Sequence, residues 1–345
     1  MTEPLLSIIV PVYNAEQFLP ALLGGLLSAA HMETEILLID DGSVDKSLSI
    51  CRRFEAEDAR VRVFCQKNSG PSTARNLGIR ESRGRYVAFF DADDVIDIAA
   101  LDRSLSLLEQ YDAEVWASDY TRIALNGCTL DIIRQIEERP VPILGRGYLP
   151  QFLSDHEQVW NIWRFLFRRD FLLAHKLFFL EGYNCAEDLE YMVRVLKLVG
   201  RPAFYHNPYY HYRAHYGNTL TRRYTLKRVE DLSTMLLRAD EHLSGCREQY
   251  AGLLRDKLVR EYIRNLSLLH EVSREDFTAA LTAYSRASVL LRRAYSPELK
   301  LVCVPLRVLG PEKASRLILG LKQVKRAFRR KKIEGYEKKC QSESQ

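Results

Sequence analysis

Phe89-Phe90-Asp91-Ala92-Asp93-Asp94 is the stretch whose reading decides the fold. Tyr86 to Phe90 is a short aromatic and β-branched run, which predicts a buried strand. The run empties directly into three carboxylates within four residues. Crowded acids repel one another, and their desolvation is costly unless a cation or hydrogen bonds compensate. At the carboxyl end of a buried strand, a divalent metal is the natural compensator. Magnesium takes one or two carboxylates together with substrate phosphates, and manganese accepts similar oxygen ligands. The competing reading is an acidic helix start, with Asp93 or Asp94 capping the helix that follows.

Upstream, the same pattern of strand, polar loop and helix repeats. Ser7 to Pro11 is a buried strand closed by Pro11 and the turn-prone Asn14, and Glu16 to Ser28 carries Phe18, Leu22 and Leu26 at helical spacing. Glu35 to Ile39 is a second strand, ending in Asp40-Asp41-Gly42-Ser43. Ser43 or Asp45 can cap the next helix, which runs through Leu48, Cys51 and Phe54. Val61 to Cys65 is a third strand, and Asn68-Ser69-Gly70-Pro71-Ser72 then opens a helix near Ala74. Four such alternations predict a parallel sheet with right-handed crossovers, whose ligand sits beyond the carboxyl ends of the strands. The loops at 11–14, 40–43, 68–76 and 91–94 meet at that edge. No Gly-x-Gly-x-x-Gly follows the first strand and no Gly-x-x-x-x-Gly-Lys-Ser/Thr occurs, which argues against a dinucleotide fold and a P-loop. Phosphates must be held by metal and side chains instead.

Downstream, Glu114 to Tyr120 is another strand and Asn126-Gly127 marks a hairpin turn. Trp160 to Phe171 is dense in aromatics and arginines; Trp160 and Trp163 suit either a core or the wall of a sugar-acceptor pocket. Ala186 to Leu198 is an amphipathic helix that begins with Glu187-Asp188. Tyr209 to Arg213 precedes a loop through Gly217-Asn218-Thr219, and from about Thr225 the chain reads as helix.

Taken together and in this order, these motifs resemble the family 2 glycosyltransferases of the GT-A fold. The resemblance rests on Ile9-Val10-Pro11-Val12-Tyr13-Asn14, Asp40 to Asp45, Asn68 to Asn76, Asp91 to Asp94 and Glu187-Asp188, and covers roughly residues 5–215. It implies a Rossmann-like α/β/α domain with a mainly parallel central sheet over 1–220; outside the resemblance, the chain itself reads as a helical extension over 221–310 and a basic amphipathic tail over 311–345. By the same resemblance, Pro11, Tyr13 and Asp41 surround a nucleotide base, and Arg75 and Asp91 belong to the nucleotide site. Asp93 is the best ligand for Mn2+ or Mg2+, with Asp94 or Asp91 in support. Asp188 is the catalytic base of an inverting displacement, with Glu187 beside it. Tyr210, His211 and Arg213 lie where the family often has a segment that closes over the donor phosphates. The implied reaction transfers a sugar from a nucleotide-sugar donor, a UDP-sugar, to a saccharide or lipid-linked acceptor in cell-surface polysaccharide synthesis. A nucleotidyltransferase would want a basic triphosphate loop after the first strand, and Val12 to Glu16 supplies none. The other alternative is an inactive scaffold binding a partner or membrane through its tail.

Composition sets the remaining bounds. The 345 residues suffice for one large domain or two ordinary ones. No apolar run approaches the roughly 20 residues that span a bilayer, and Met1-Thr2-Glu3-Pro4 does not read as a signal peptide. Seven cysteines, odd in number and without a Cys-x-x-Cys pair, read as reduced thiols rather than disulfides or zinc ligands. These features predict a cytoplasmic protein. The net charge is +5, yet Lys313 to Lys339 alone holds eleven Lys/Arg against two Glu, so the rest of the chain is acidic. Leu317, Ile318, Leu321, Val324 and Phe328 share one helical face opposite Lys322, Lys325, Arg326, Arg329 and Arg330. Such a helix either lies on an anionic membrane at the inner face of the plasma membrane or packs on the domain with a solvated basic face. Leu301 to Leu309, broken by Pro305, reads as a further segment able to dip into the interface. Nucleic acid is not an expected partner, because the tail lacks interleaved aromatics.

Overall fold

The computed structural model describes residues 3–28, 33–125, 127–154, 158–214 and 224–343, with side chains described to Gln323. It divides into two compact units, Met1–Thr219 with Glu241–Ala251, and Leu220–Asp240 with Gly252–Gln345. The Gly217-Asn218-Thr219 loop, Asn126 and the tail side chains from Val324 onward lie outside the described residues.

In the first unit the expected alternation is present. β1 (Leu6–Val12), α1 (Leu19–Ser28), β2 (Thr34–Asp40), α2 (Ser47–Glu57), β3 (Val61–Cys65), α3 (Pro71–Glu81) and β4 (Tyr86–Phe89) follow in turn. Then come β5 (Val95–Ile96), α4 (Ile98–Tyr111), β6 (Val115–Ile123), β7 (Thr129–Ile133), β8 (Ile143–Leu144) and α5 (Leu149–Ser154). β9 (Phe165–Arg168), α6 (Arg169–Ala174), α7 (Glu187–Leu198) and β10 (Pro202–Arg213) complete it. The sheet runs β3-β2-β1-β4-β9-β6-β10-β5, with β7 on β6 and β8 on β10. The first four strands pair in parallel, as do β6 and β10. β9 lies antiparallel between β4 and β6. It is only four residues long and uniformly aromatic or apolar before its arginine, so it offers no period-two signal in the sequence.

Every residue of β2 is buried, as are all but one of β1. Strands covered on both faces read as continuous apolar runs, which is why they were legible. Close cover by α3 requires Gly78: a Cβ there would lie 2.3 Å from Cγ2 of Ile9. Gly127, at φ 84°, closes the β6–β7 hairpin by donating its N–H to the Ala124 carbonyl, as expected of that turn.

Two capping expectations are corrected. Asp97, not Asp93 or Asp94, caps α4, its carboxylate accepting from the Ala100 N–H at 2.9 Å. The acidic cluster is therefore not a helix cap. Ser43 does not cap α2 either: its hydroxyl accepts from the Asn14 N–H at 3.1 Å, while Asp45 accepts from the Ser47 N–H.

The second unit is helical, with α8 (Leu226–His242), α9 (Gln249–Leu266), α10 (Phe277–Ser285) and α11 (Pro297–Glu343); the last residues of α8 and the first of α9 belong to the first unit. Tyr262 and Tyr284 stack at 4.8 Å, and the Tyr284 hydroxyl donates to the Tyr262 carbonyl at 2.9 Å. α11 bends at Gly310, whose φ of 71° leaves the helical region just before Pro311. Among the described residues no helix is long and apolar enough to cross a membrane. Cys51, Cys65, Cys246 and Cys303 are free thiols.

Candidate active site

The carboxyl ends of β1, β2 and β4 carry their loops to one edge of the sheet, and hydrogen bonds knit the loops together. The Asn14 amide oxygen accepts from the Val44 N–H, and Ser47 Oγ accepts from the Ala15 N–H at 2.8 Å. Glu16 and Asp45 exchange bonds across the same seam, the Glu16 N–H donating to Asp45 and the Lys46 N–H to Glu16. Asn14 holds a left-handed φ of 50°, a conformation asparagine tolerates better than most residues. Tyr13 is left 44% exposed at the tip, beside Pro11 at the end of β1.

Asp41 is buried and organises the third loop. One carboxylate oxygen accepts from Gln66 Nε2 and the Ser69 N–H, the other from the Gly70 N–H at 2.8 Å. Gly42 is obligatory beside it, because at φ 74° an added Cβ would lie 2.9 Å from the Asn68 nitrogen. Its neighbour Asp40 turns toward Cys51, whose thiol is pushed up to about 12 by burial first and by the Asp40 charge second.

Arg75, on α3, is the hub. Its guanidinium is only 5% exposed and pairs with Asp91 at 3.2 Å, Asp188 at 3.2 Å and Glu187 at 3.5 Å. Phe179 lies under it, ring centroid 5.5 Å away. Residues far apart in sequence thus converge: one acid follows β4, and two open α7. Asn76 fixes the Phe179 segment from the next position, accepting the Phe179 N–H and donating to the Phe179 carbonyl and Glu181. The chain enters α7 through Ala186 in the left-handed region, at φ 60°, a conformation that costs on the order of 1–3 kcal/mol in a non-glycine residue. The helix N-terminus favours the negative charge of the two acids it presents.

Three carboxylates on one cation leave the site short of positive charge. Burial outweighs Arg75 at Asp188 and, with help from the charges of Glu187 and Asp91, raises its carboxyl to about 8. Asp91 is raised too, by burial and then by Asp93, against the pull of Arg75. Asp94 rises well above the carboxylate range because it is buried and faces both other acids of its loop.

Asp94 is held rather than open. It accepts from the Tyr210 hydroxyl at 2.5 Å and from the Arg213 N–H at 2.6 Å. The same tyrosine hydroxyl accepts from the Asp91 N–H. Arg213 also donates through Nε to the Asp93 carbonyl at 2.8 Å and through Nη1 to the Leu125 carbonyl. Arg213 thus secures the acidic loop, and with Gln17, Phe18, Ala21, Asp94 and Leu125 it lines a cavity of about 430 Å³. His211 stands apart, opposite Val95 of β5; burial lowers its pKa, and the acid that opposes the shift is Asp97. Trp160 and Trp163 are both buried. Trp163 stacks on Tyr210 at 4.4 Å and on Tyr212 at 5.6 Å, forming a column behind the acidic loop.

Asn76 is a positioning residue that the sequence does not single out beyond its motif, and the hold of Tyr210 on the acidic loop is likewise not legible there. Tyr210→Phe leaves Asp94 short of a donor and the Asp91 N–H short of an acceptor. It is expected to lower stability in urea unfolding by about 1–3 kcal/mol.

Comparison with known proteins gives the class and then the family. The fold is that of GT-A enzymes: the S. aureus TarS structure in complex with UDP-GlcNAc superposes with a TM-score of 0.71 at 19% identity, over 92% of this chain and 91% of that one. A mannosyltransferase from Pyrobaculum calidifontis, solved with GDP-Man and Mn2+, matches at a TM-score of 0.53 and 16% identity, over 94% of this chain and 88% of that one. Residues 7–191 match the model of glycosyl transferase family 2, and the chain belongs to that family. An uncharacterized glycosyltransferase of Bacillus subtilis, EpsJ, is 33% identical over 220 residues, covering 63% of each chain. Glycosyltransferase GlyG of Streptococcus pneumoniae is 35% identical over 117 residues, 34% of this chain and 39% of its own. The chain thus spans less than two thirds of either relative's length.

Among the described residues no three His, Cys, Asp or Glu side chains converge closely enough to cage a metal. The donor set nevertheless suits a hard cation that takes one or two carboxylates and completes its shell with phosphate oxygens and water. Burial first, and the charge of Asp93 besides, raise both Asp91 and Asp94, a cost that such a cation would relieve. The acids of the 91–94 loop would hold it, Asp94 accepting already from Tyr210 and Arg213 and Asp91 pairing with Arg75.

Proposed function

We propose that this chain transfers a sugar from a nucleotide sugar, a UDP-sugar, to a hydroxyl of a saccharide or lipid-linked acceptor, with inversion at the anomeric carbon. The convergence of Asp91, Glu187 and Asp188 on Arg75 carries this reading. Asp188 is the base: its carboxylate takes the proton of the acceptor hydroxyl as that oxygen attacks the anomeric carbon. Arg75 and Glu187 fix its orientation, and burial brings its proton affinity close to neutral pH, where a base works best. Pro11, Tyr13 and the loop ordered by Asp41 receive the base of the nucleotide. A divalent cation, Mn2+ or Mg2+, bound by Asp93 and Asp91 would supply neutralisation of the charge growing on the leaving diphosphate. A lipid-linked acceptor would bring the reaction to the inner face of the plasma membrane, where the basic residues of Lys313 to Lys339 meet anionic headgroups.

A thermal-shift panel of nucleoside diphosphates, with and without Mn2+, tests the reading. UDP with Mn2+ is expected to raise the melting temperature of wild type by mass action and to leave Asp93→Ala unmoved. A shift with GDP alone would change the donor class. No shift with any nucleotide would favour a scaffold over an enzyme.

A further inference from the structure

We infer that the outer face of α11 between Leu301 and Leu309 is a bilayer-docking surface, which inserts apolar side chains into an anionic leaflet. The inference deepens the membrane part of the reading above and needs no catalytic residue.

Burial within the second unit carries the argument. Leu299, Cys303 and Leu306 are buried, and they supply the inward stripe that a packed helix requires. The opposite side of the same helix is apolar as well. Leu301 is 76% exposed, Val304 53% and Val308 84%, at i, i+3 and i+7 on one face, with Val302 and Leu309 exposed on its flank. Of the eighteen large apolar side chains exposed among the described residues, seven lie between Leu301 and Leu321. A contiguous exposed ridge of this kind marks an interaction site, whereas scattered apolar residues need no explanation.

Charge selects the occupant. The helix carries Lys300 and Arg307, both exposed, beside the ridge. Beyond the bend at Gly310 an exposed Lys313 follows, while Arg316 pairs with Glu312 at 2.7 Å and Lys322 donates to the Arg264 carbonyl and Ser267 Oγ. From Lys325 to Lys339 the sequence adds eight Lys/Arg against two Glu. A second copy packed ridge to ridge would set these cations against one another, since Leu301 to Leu309 holds no acid to meet them. An anionic bilayer supplies both needs at once: hydrocarbon for Leu301, Val304 and Val308, and negative headgroups for the flanking cations. Since no helix among the described residues can span a membrane, the mode is docking in the plane of the interface.

The test uses the full chain with vesicles of phosphatidylcholine containing phosphatidylglycerol, against pure phosphatidylcholine, in a flotation assay. Wild type is expected to float with the anionic vesicles, and the double variant Leu301→Asp/Val308→Asp to bind about tenfold or more weakly, because two inserted side chains are lost. Both positions are exposed, so the variant is expected to keep its melting temperature. A direct readout is Val308→Trp, whose emission should shift to the blue with anionic vesicles. Asp188→Asn should float like wild type, which separates this inference from the enzymatic one. Binding by the double variant equal to wild type, or no blue shift at Val308→Trp, would overturn insertion and leave a purely electrostatic tail. A concentration-dependent dimer in light scattering that Leu301→Asp/Val308→Asp dissolves would overturn it in favour of a second copy.

Discussion

Arg75→Met is expected to lower the unfolding free energy by about 1–3 kcal/mol. A fully buried pair would cost more, but the acids left behind keep access to water, Asp91 being 37% and Asp188 28% exposed. Methionine keeps much of the volume and the contact with Phe179 but none of the charge, so Asp91, Glu187 and Asp188 are left facing one another. The sign with pH is distinctive. Arg75 is the influence that holds Asp91 and Asp188 down against burial. Without it their folded-state affinities for protons rise further above the unfolded values. The folded variant then binds more protons than the unfolded chain, and its stability falls as pH rises through the carboxylate range and beyond. Urea unfolding at acidic and alkaline pH should therefore show the deficit of Arg75→Met small in acid and large in base. An equal deficit at both pH values would mean that Arg75 contributes packing alone. Donor turnover is expected to be lost in the same variant, because the orientation of Asp188 goes with the guanidinium.

How much of this was legible in the sequence follows from what each signal depends on. β1, β2 and β4 announced themselves because strands covered on both faces must be apolar throughout, and the loops after them must be polar. Edge strand β3 showed instead by alternation, with Val61 and Val63 buried. The five motifs told which loops mattered, since they stand in one order along the chain. The partners of the individual acids were not legible. Asp93, Asp94 and Asp97 are interchangeable on paper as caps, and only the geometry of α4 assigns the role to Asp97. Arg75 reads as part of the nucleotide site, but its carboxylate partners lie 16 and more than 110 residues away and were not legible. The same distance hid the hold of Tyr210 on Asp94, 116 positions away. Antiparallel β9 was missed for a related reason: a four-residue strand takes its identity from its neighbours, not from its own pattern.

Asp188→Asn should reduce kcat about 10²–10⁴-fold, the range that a positioned general base contributes, with little change in KM for the donor. Asparagine preserves shape and leaves Arg75 paired with Asp91 and Glu187, so the loss reports proton transfer rather than collapse of the site. The pH profile gives the sharper test. A base must be ionised to accept the acceptor proton, so wild-type activity should rise with pH. Its midpoint should lie well above the ordinary aspartate value of about 3.9, toward the value of about 8 to which burial raises this carboxyl. In Asp188→Asn the rising limb should vanish along with the rate. If the limb persists in the variant, the base is another group of the cluster, and Glu187 or Asp91 takes the role. Stability should move the other way. A carboxyl whose folded pKa lies above its unfolded value costs stability once pH passes the unfolded value, and the cost grows until pH passes the folded one. Asp188→Asn removes that cost and should be no less stable than wild type in alkaline urea titrations. A variant slower by orders of magnitude yet at least as stable is the pattern expected when a site keeps a strained acid for its chemistry.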